Sequence, residues 1–143
     1  FGFSYRMRSD VMVNNFVFNA LKDKKLKLFE PHFRRNFIHV RDVVDCVLYT
    51  INNFNKMKNN IYNAGLNSAN ITKLQLAKLI KKQIKDLKLT TIKGIKDPDQ
   101  RNYFVSNDKL KNKGFKAKRD LNEGIEELIK GFKVEGLKIK NNY

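Results

Sequence analysis

The stretch that most constrains this chain runs from Arg34 to Val47: Arg-Arg-Asn-Phe-Ile-His-Val-Arg-Asp-Val-Val-Asp-Cys-Val. A pair of arginines leads into a short apolar run, Phe37 to Val40, which reads as a strand. Arg41-Asp42 then opens a segment with Val43, Val47, Ile51 and Phe54 at spacings of four, four and three, the period of a buried helix stripe. An arginine at a strand end beside a helix start is a common grip for phosphate or carboxylate. The alternative for Arg35 is a surface ion pair with Asp42 or Asp45.

Around this centre the chain alternates helical and extended patterns. Val13, Phe16, Val17, Ala20 and Leu21 share one helical face, and Ser9 or Asp10 is placed to cap it. Lys24 to Phe29 alternates as a half-buried strand. Asn52 to Asn60 reads as a polar surface loop, and Asn60 to Gly65 as a short strand. Thr72 and Gln75 have capping-box spacing ahead of Leu76, Leu79 and Ile80. Lys88 to Ile92 is a strand, Gly94 to Asn102 a loop, and Tyr103 to Val105 a short extended piece. Helices are expected from Ser106 to about Lys111 and after the Asp120/Glu123 cap. This is an α/β pattern, in one domain of 143 residues. Residues 1–135 read as the folded portion and 136–143 as a basic tail.

The net charge is +16, and 23 of the 30 basic residues are lysine. A nucleic-acid-binding module is one reading. The lysines are spread along the chain, however, and lack the interleaved aromatics of a base-stacking platform. Solvated helix faces are the plainer reading, with no nucleic-acid partner. No apolar run is long enough to span a membrane. The single cysteine, Cys46, excludes an internal disulfide and fits a reducing, cytoplasmic compartment. His39 in its apolar run reads as a packed residue. Asp42 and Asp45 read as helix-dipole partners or as an ion pair with Arg41. Arg101 and Lys96 sit in a loop with Asp97 and Asp99, where they can reach a phosphate or neutralise those acids. No metal-ligand spacing and no catalytic motif is visible.

The combination is more specific than its parts. Arg35-Asn36-Phe37-Ile38-His39-Val40-Arg41-Asp42-Val43 resembles the R-D-F-I-H-V-x-D-V signature of NAD-dependent sugar-nucleotide epimerases and dehydratases, which are extended short-chain dehydrogenases/reductases. Asn36 stands where that signature has aspartate. Other segments follow the family's order. Phe1-Gly2-Phe3 resembles its V-Y-G-P, Tyr62 to Gly65 with Thr72 to Ala77 its Y-N-x-G…T-x-x-E-L-A, and Arg101 to Leu128 its R-x-Y…K…L-G-F…G-I-x-E-L ending.

The resemblance implies the C-terminal, substrate-binding part of such an enzyme, with the last strands of its Rossmann-type sheet. The Gly-rich dinucleotide loop and the Tyr-x-x-x-Lys couple lie upstream in the family, so no catalytic residue is expected here. NAD or NADP is expected to be held mainly by that N-terminal half, with Phe1 and Gly2 at the cofactor edge. The parent reaction would transfer a hydride from a sugar carbon to the cofactor. Arg35 is expected to bind the nucleotide diphosphate, helped by Asp10, Asn14, Asn63, Lys96 and Arg101. The partner is then a nucleotide-diphosphate sugar, with a homodimer of the full-length enzyme possible. A chain lacking that half is expected to expose apolar faces and to be poorly soluble alone.

Overall fold

The computed structural model describes residues 1–94 and 101–134. The elements run α1 (Met12–Asp23), β1 (Lys25–Phe29), β2 (Arg34–Asn36), α2 (Val40–Asn52), α3 (Phe54–Met57), a 3-10 turn (Asn67–Ala69), β3 (Asn70–Thr72), α4 (Lys73–Gln83), β4 (Lys88–Ile92), α5 (Asp108–Asn112) and α6 (Leu121–Val134). The mixed α/β class is as expected, and its helices and strands sit largely where periodicity places them.

β1 pairs with β4 in parallel, from Lys25 opposite Lys88 to Phe29 opposite Ile92. The lysines of β1 face solvent while Leu26 and Leu28 point inward. α1, α4 and α6 pack against one another, and α1 and α4 also meet β1. The core lies between them: Val13, Val17 and Ala20 from α1, Leu76, Ala77 and Ile80 from α4, and Ile125, Leu128 and Phe132 from α6. α4 begins at the expected capping box, in which Thr72 and Gln75 each bond the other's backbone amide. Asp120 and Glu123 do the same at α6. Each box satisfies amides that the first helical turn leaves without partners.

Two glycines of α6 work by absence of a side chain. A Cβ on Gly124 would lie 2.2 Å from the Phe1 ring, and one on Gly131 would lie 2.1 Å from Phe3. The N-terminal segment is thus bedded into α6. It also touches the central stretch, since the Phe1 nitrogen donates to the Ile38 carbonyl (2.9 Å) and the Val40 amide to the Phe1 carbonyl (2.7 Å).

Five sequence expectations are corrected. The strand placed over Phe37 to Val40 lies earlier, at Arg34–Asn36, because its partner β3 spans only Asn70–Thr72 and the antiparallel register ends at Asn36. Val40 instead starts α2, and His39 Nδ1 caps it by accepting from the Arg41 amide at 3.2 Å. Neither Ser9 nor Asp10 caps α1, which starts at Met12 after an uncapped Val11, because the Asp10 carboxylate is engaged by Arg8. Asn60 to Gly65 forms no strand. Within the expected surface loop, α3 forms and buries Met57 against Leu110 and Phe115.

The fifth correction concerns α2. Its stripe of Val43, Val47, Ile51 and Phe54 faces outward, between 41% and 63% exposed. The helix is attached by its other face. Asp42 is buried and accepts from the Lys118 and Arg119 amides and from Arg119 Nη1. Asp45 accepts from the same Nη1 at 2.9 Å. The acids' guanidinium partner is therefore Arg119 rather than Arg41, which reaches toward Glu127 at 3.8 Å. Tyr49 completes the contact, with its hydroxyl on the Lys113 carbonyl and its ring against Phe115.

Candidate functional site

Arg35 is the middle residue of β2, where strand alternation turns its side chain inward, and it is 5% exposed. Its Nη1 donates to its neighbour's carbonyl, Arg34 O, at 2.7 Å and to the carbonyl of Arg101. The guanidinium carbon stands 5.3 Å from the centroid of the Tyr103 ring. Asn102 adds a further link, its Oδ1 accepting from the Arg34 amide at 2.9 Å. Segment 101–103 therefore lies over the arginine and fixes the plane of its fork.

That segment continues along β3 through amide side chains. Asn70 accepts from the Val105 amide and donates to its carbonyl, both at 2.9 Å. Asn67 Oδ1 receives the Asn107 amide and side chain. Asn63 donates to the Ser106 carbonyl at 3.2 Å. Asn36 donates to the Leu66 carbonyl at 2.8 Å. Asn107 Oδ1 is buried without a hydrogen-bond partner. Beside it lies a cavity of about 240 Å³ lined by Gly65, Leu66, Asn67, Lys111, Phe115 and Lys116.

The candidate residues fall into two groups. Arg35, Arg101 and Asn63 are joined by segment 101–107. Asp10, Asn14, Phe1 and Gly2 belong to the N-terminal group. There the buried Asn14 accepts from the Gly2 amide (3.1 Å) and donates to the Arg8 carbonyl (3.0 Å). Asp10 is held by Arg8, whose guanidinium lowers its pKa. Phe1 meets His39 edge-on, at 5.3 Å between ring centroids. His39 is 1% exposed, and burial lowers its pKa. Burial also raises that of the Cys46 thiol, which keeps it a poor nucleophile. Lys96 lies outside the described residues.

Sequence reasoning did not single out Asn67, Asn70 or Asn107, and met Asn102 and Tyr103 only within the R-x-Y resemblance, without a contact to Arg35. Asparagines spread through loops carry no spacing signal, and their pairing depends on long-range contacts. Among the described residues no three His, Cys, Asp or Glu side chains gather as a metal site. No described helix is long and apolar enough to cross a membrane.

Three solved structures illustrate the fold's relatives. Pal from Bacillus thuringiensis superposes with a TM-score of 0.73 and 22% identity, covering 96% of this chain and 43% of that one. dTDP-glucose 4,6-dehydratase from Bacillus anthracis in complex with NAD gives 0.69 and 21%, covering 95% and 45%. RMD from Pseudomonas aeruginosa complexed with NADPH gives 0.70 and 14%, covering 90% and 44%. The chain thus spans less than half the length of each. Residues 3–65, which hold α1, β1, β2 and α2, match the model of the NAD dependent epimerase/dehydratase family, on a fold shared with enzymes more than twice as long.

Proposed function

We propose that this chain is the C-terminal, substrate-holding part of an NAD(P)-dependent sugar-nucleotide epimerase/dehydratase, and that Arg35 binds the nucleotide diphosphate. The observation that carries this reading is the seating of Arg35. It is a buried guanidinium at the centre of a strand, oriented by two carbonyls and an aromatic face, inside the segment that matches the family.

A diphosphate oxygen is a stronger acceptor for this fork than a neutral carbonyl. The substrate would enter by displacing the Arg101 carbonyl from Nη1, so that segment 101–103 shifts as the ligand binds. Arg101 and Lys96 would add positive charge for the second phosphate. Asn63 and Asn14 act in this reading by holding backbone: Asn63 steadies residue 106 at the far end of the same segment, and Asn14 fixes Gly2. Asp10, held by Arg8 ahead of α1, would contribute to substrate binding only through that segment.

A bound NAD or NADP would supply the hydride acceptor for the sugar carbon. The residues present do not form its cradle. The chain has neither the Gly-rich loop nor the Tyr-x-x-x-Lys couple, and the Gly2 amide that could face it is already taken by Asn14. Phe1 and Gly2 would supply an edge only. The role of this chain is therefore to bind and orient, which accelerates the reaction by holding the sugar carbon in reach. A homodimer of the full-length enzyme in the cytoplasm fits this reading.

Calorimetric titration with UDP- and dTDP-sugars tests it. Arg35→Ala is expected to weaken affinity roughly tenfold to a hundredfold, the ~1.5–3 kcal/mol of hydrogen bonds to a charged group. Arg35→Lys should restore only part, since an ammonium lacks the planar fork. Unchanged affinity in Arg35→Ala would overturn the assignment.

A further inference from the structure

We infer that the cavity beside Asn107 is a binding site for a small, flat organic anion that carries a hydrogen-bond donor at the end opposite its charge. The site is separate from the one around Arg35 and does not depend on the function proposed there. Strand alternation turns Asn36, the neighbour of Asn107, to the other side of β2 from Arg35.

Asn107 is 6% exposed and lines the cavity. Its Nδ2 stands among three oxygens: Asn67 Oδ1 at 3.0 Å, Asn36 Oδ1 at 3.4 Å and the Val105 carbonyl at 3.5 Å. Turning the amide over would set its oxygen against all three acceptors, so its orientation is fixed. Oδ1 is then buried with no donor. A folded protein rarely keeps such an atom unless a ligand or water supplies the missing bond. Gly65 keeps this oxygen clear, since a Cβ there would stand 2.8 Å from it.

The rest of the lining selects the occupant. The volume of about 240 Å³ is far more than the ~30 Å³ share of one water. It falls below the ~300–1,000 Å³ of pockets that enclose drug-sized ligands, so a nucleotide-diphosphate sugar is too large for it. Leu66, Leu110 and Phe115 supply apolar surface against which a flat ring can lie. Two exposed lysines, Lys111 and Lys116, also line it, and among the described residues no acid does. Asp108, one turn before Lys111 on α5, offsets part of that charge, but it is held by Asn67 and Ser106. The ligand therefore needs a donor for Asn107, an apolar body and a negative group for the lysines. An aromatic hydroxy acid has all three, whereas water would satisfy Asn107 and leave the apolar lining wet.

The probe is para-hydroxybenzoate, titrated into the isotope-labelled chain and followed by NMR. The expected Kd is roughly 1 mM or tighter, an ordinary value for about ten heavy atoms. The shifts should centre on the Asn107 side-chain amide, Leu66 and Phe115. Para-methoxybenzoate keeps the ring and the charge but lacks the donor, and should bind at least tenfold more weakly. Lys111→Gln with Lys116→Gln should weaken para-hydroxybenzoate about tenfold and leave the urea midpoint unchanged, since both side chains are exposed. The probe should bind equally with or without a UDP-sugar, so failure of the diphosphate reading and failure of this one are separable. No shift at Asn107 up to roughly 10 mM probe would overturn the proposal and leave water as the occupant. Equal binding of the methoxy compound, unchanged affinity in the double variant, or competition by the UDP-sugar would each overturn it as well.

Discussion

His39 shows what a single residue contributes here. It lies between the Phe1 ring and Gly2, its Nδ1 caps α2, and its Nε2 stands 3.4 Å from Glu127 Oε1. Desolvation lowers its pKa, opposed by the Glu127 charge and, more weakly, that of Asp42. The Phe1 amino group and Arg119 act with desolvation. The unfolded chain takes up a proton at His39 near pH ~6.5 and the folded chain only at lower pH. Between those values the unfolded state holds more protons, so stability is full above pH ~6.5 and falls as pH drops toward the folded value. Thermal melts from pH 7.5 to 5.5 should therefore show a falling midpoint, and His39→Gln should flatten that slope. Asp10, Asp45 and Asp108, whose pKa values are lowered, add their own losses only on further acidification, below the usual carboxylate value of ~4. A midpoint independent of pH across that window would contradict the assignment. The sequence showed His39 as a packed residue because it sits in an apolar run. Its capping role was hidden, because it depends on where β2 stops.

At the scale of elements, α2 separates what periodicity can tell from what it cannot. The spacing of Val43, Val47 and Ile51 identified a helix and its apolar face correctly. It could not say which face the rest of the chain covers, since that depends on Arg119, 77 residues downstream of Asp42. The capping boxes at Thr72 and Asp120 were legible for the opposite reason: each is complete within four residues. The placement of α2 yields an unequal pair of mutational effects. Asp42→Ala strands two backbone amides and leaves the Arg119 guanidinium only Asp45, and should cost about 2–4 kcal/mol in urea denaturation. Arg119→Ala leaves Asp42 its two amide donors, Lys118 and Arg119 N–H, and should cost clearly less. Equal losses would mean that the ion pair alone, rather than the whole carboxylate nest, holds the helix.

Across the whole molecule, the charge of +16 has to be weighed against the location of the candidate site. The two densest lysine groups, Lys22-Lys24-Lys25-Lys27 and Lys78-Lys81-Lys82-Lys85, are exposed, the first from the end of α1 into β1 and the second on the polar side of α4 and just beyond its end. Arg35 is buried under segment 101–103. These two kinds of positive charge respond differently to salt. Exposed lysines bind a polyanion by releasing condensed counterions, so an affinity resting on six to ten phosphate contacts falls ~10³-fold or more between 50 and 200 mM salt. A single diphosphate gripped by a desolvated, planar guanidinium is screened far less. Binding of duplex DNA should therefore disappear over that range, while nucleotide-sugar affinity changes only a few-fold. Filter binding and calorimetry at the two salt concentrations measure both. Sequence-selective DNA binding that survives 200 mM salt, with no nucleotide-sugar affinity, would favour a nucleic-acid module instead. The absence of interleaved aromatics along the lysine groups argues against that outcome, because counterion release supplies affinity without selectivity.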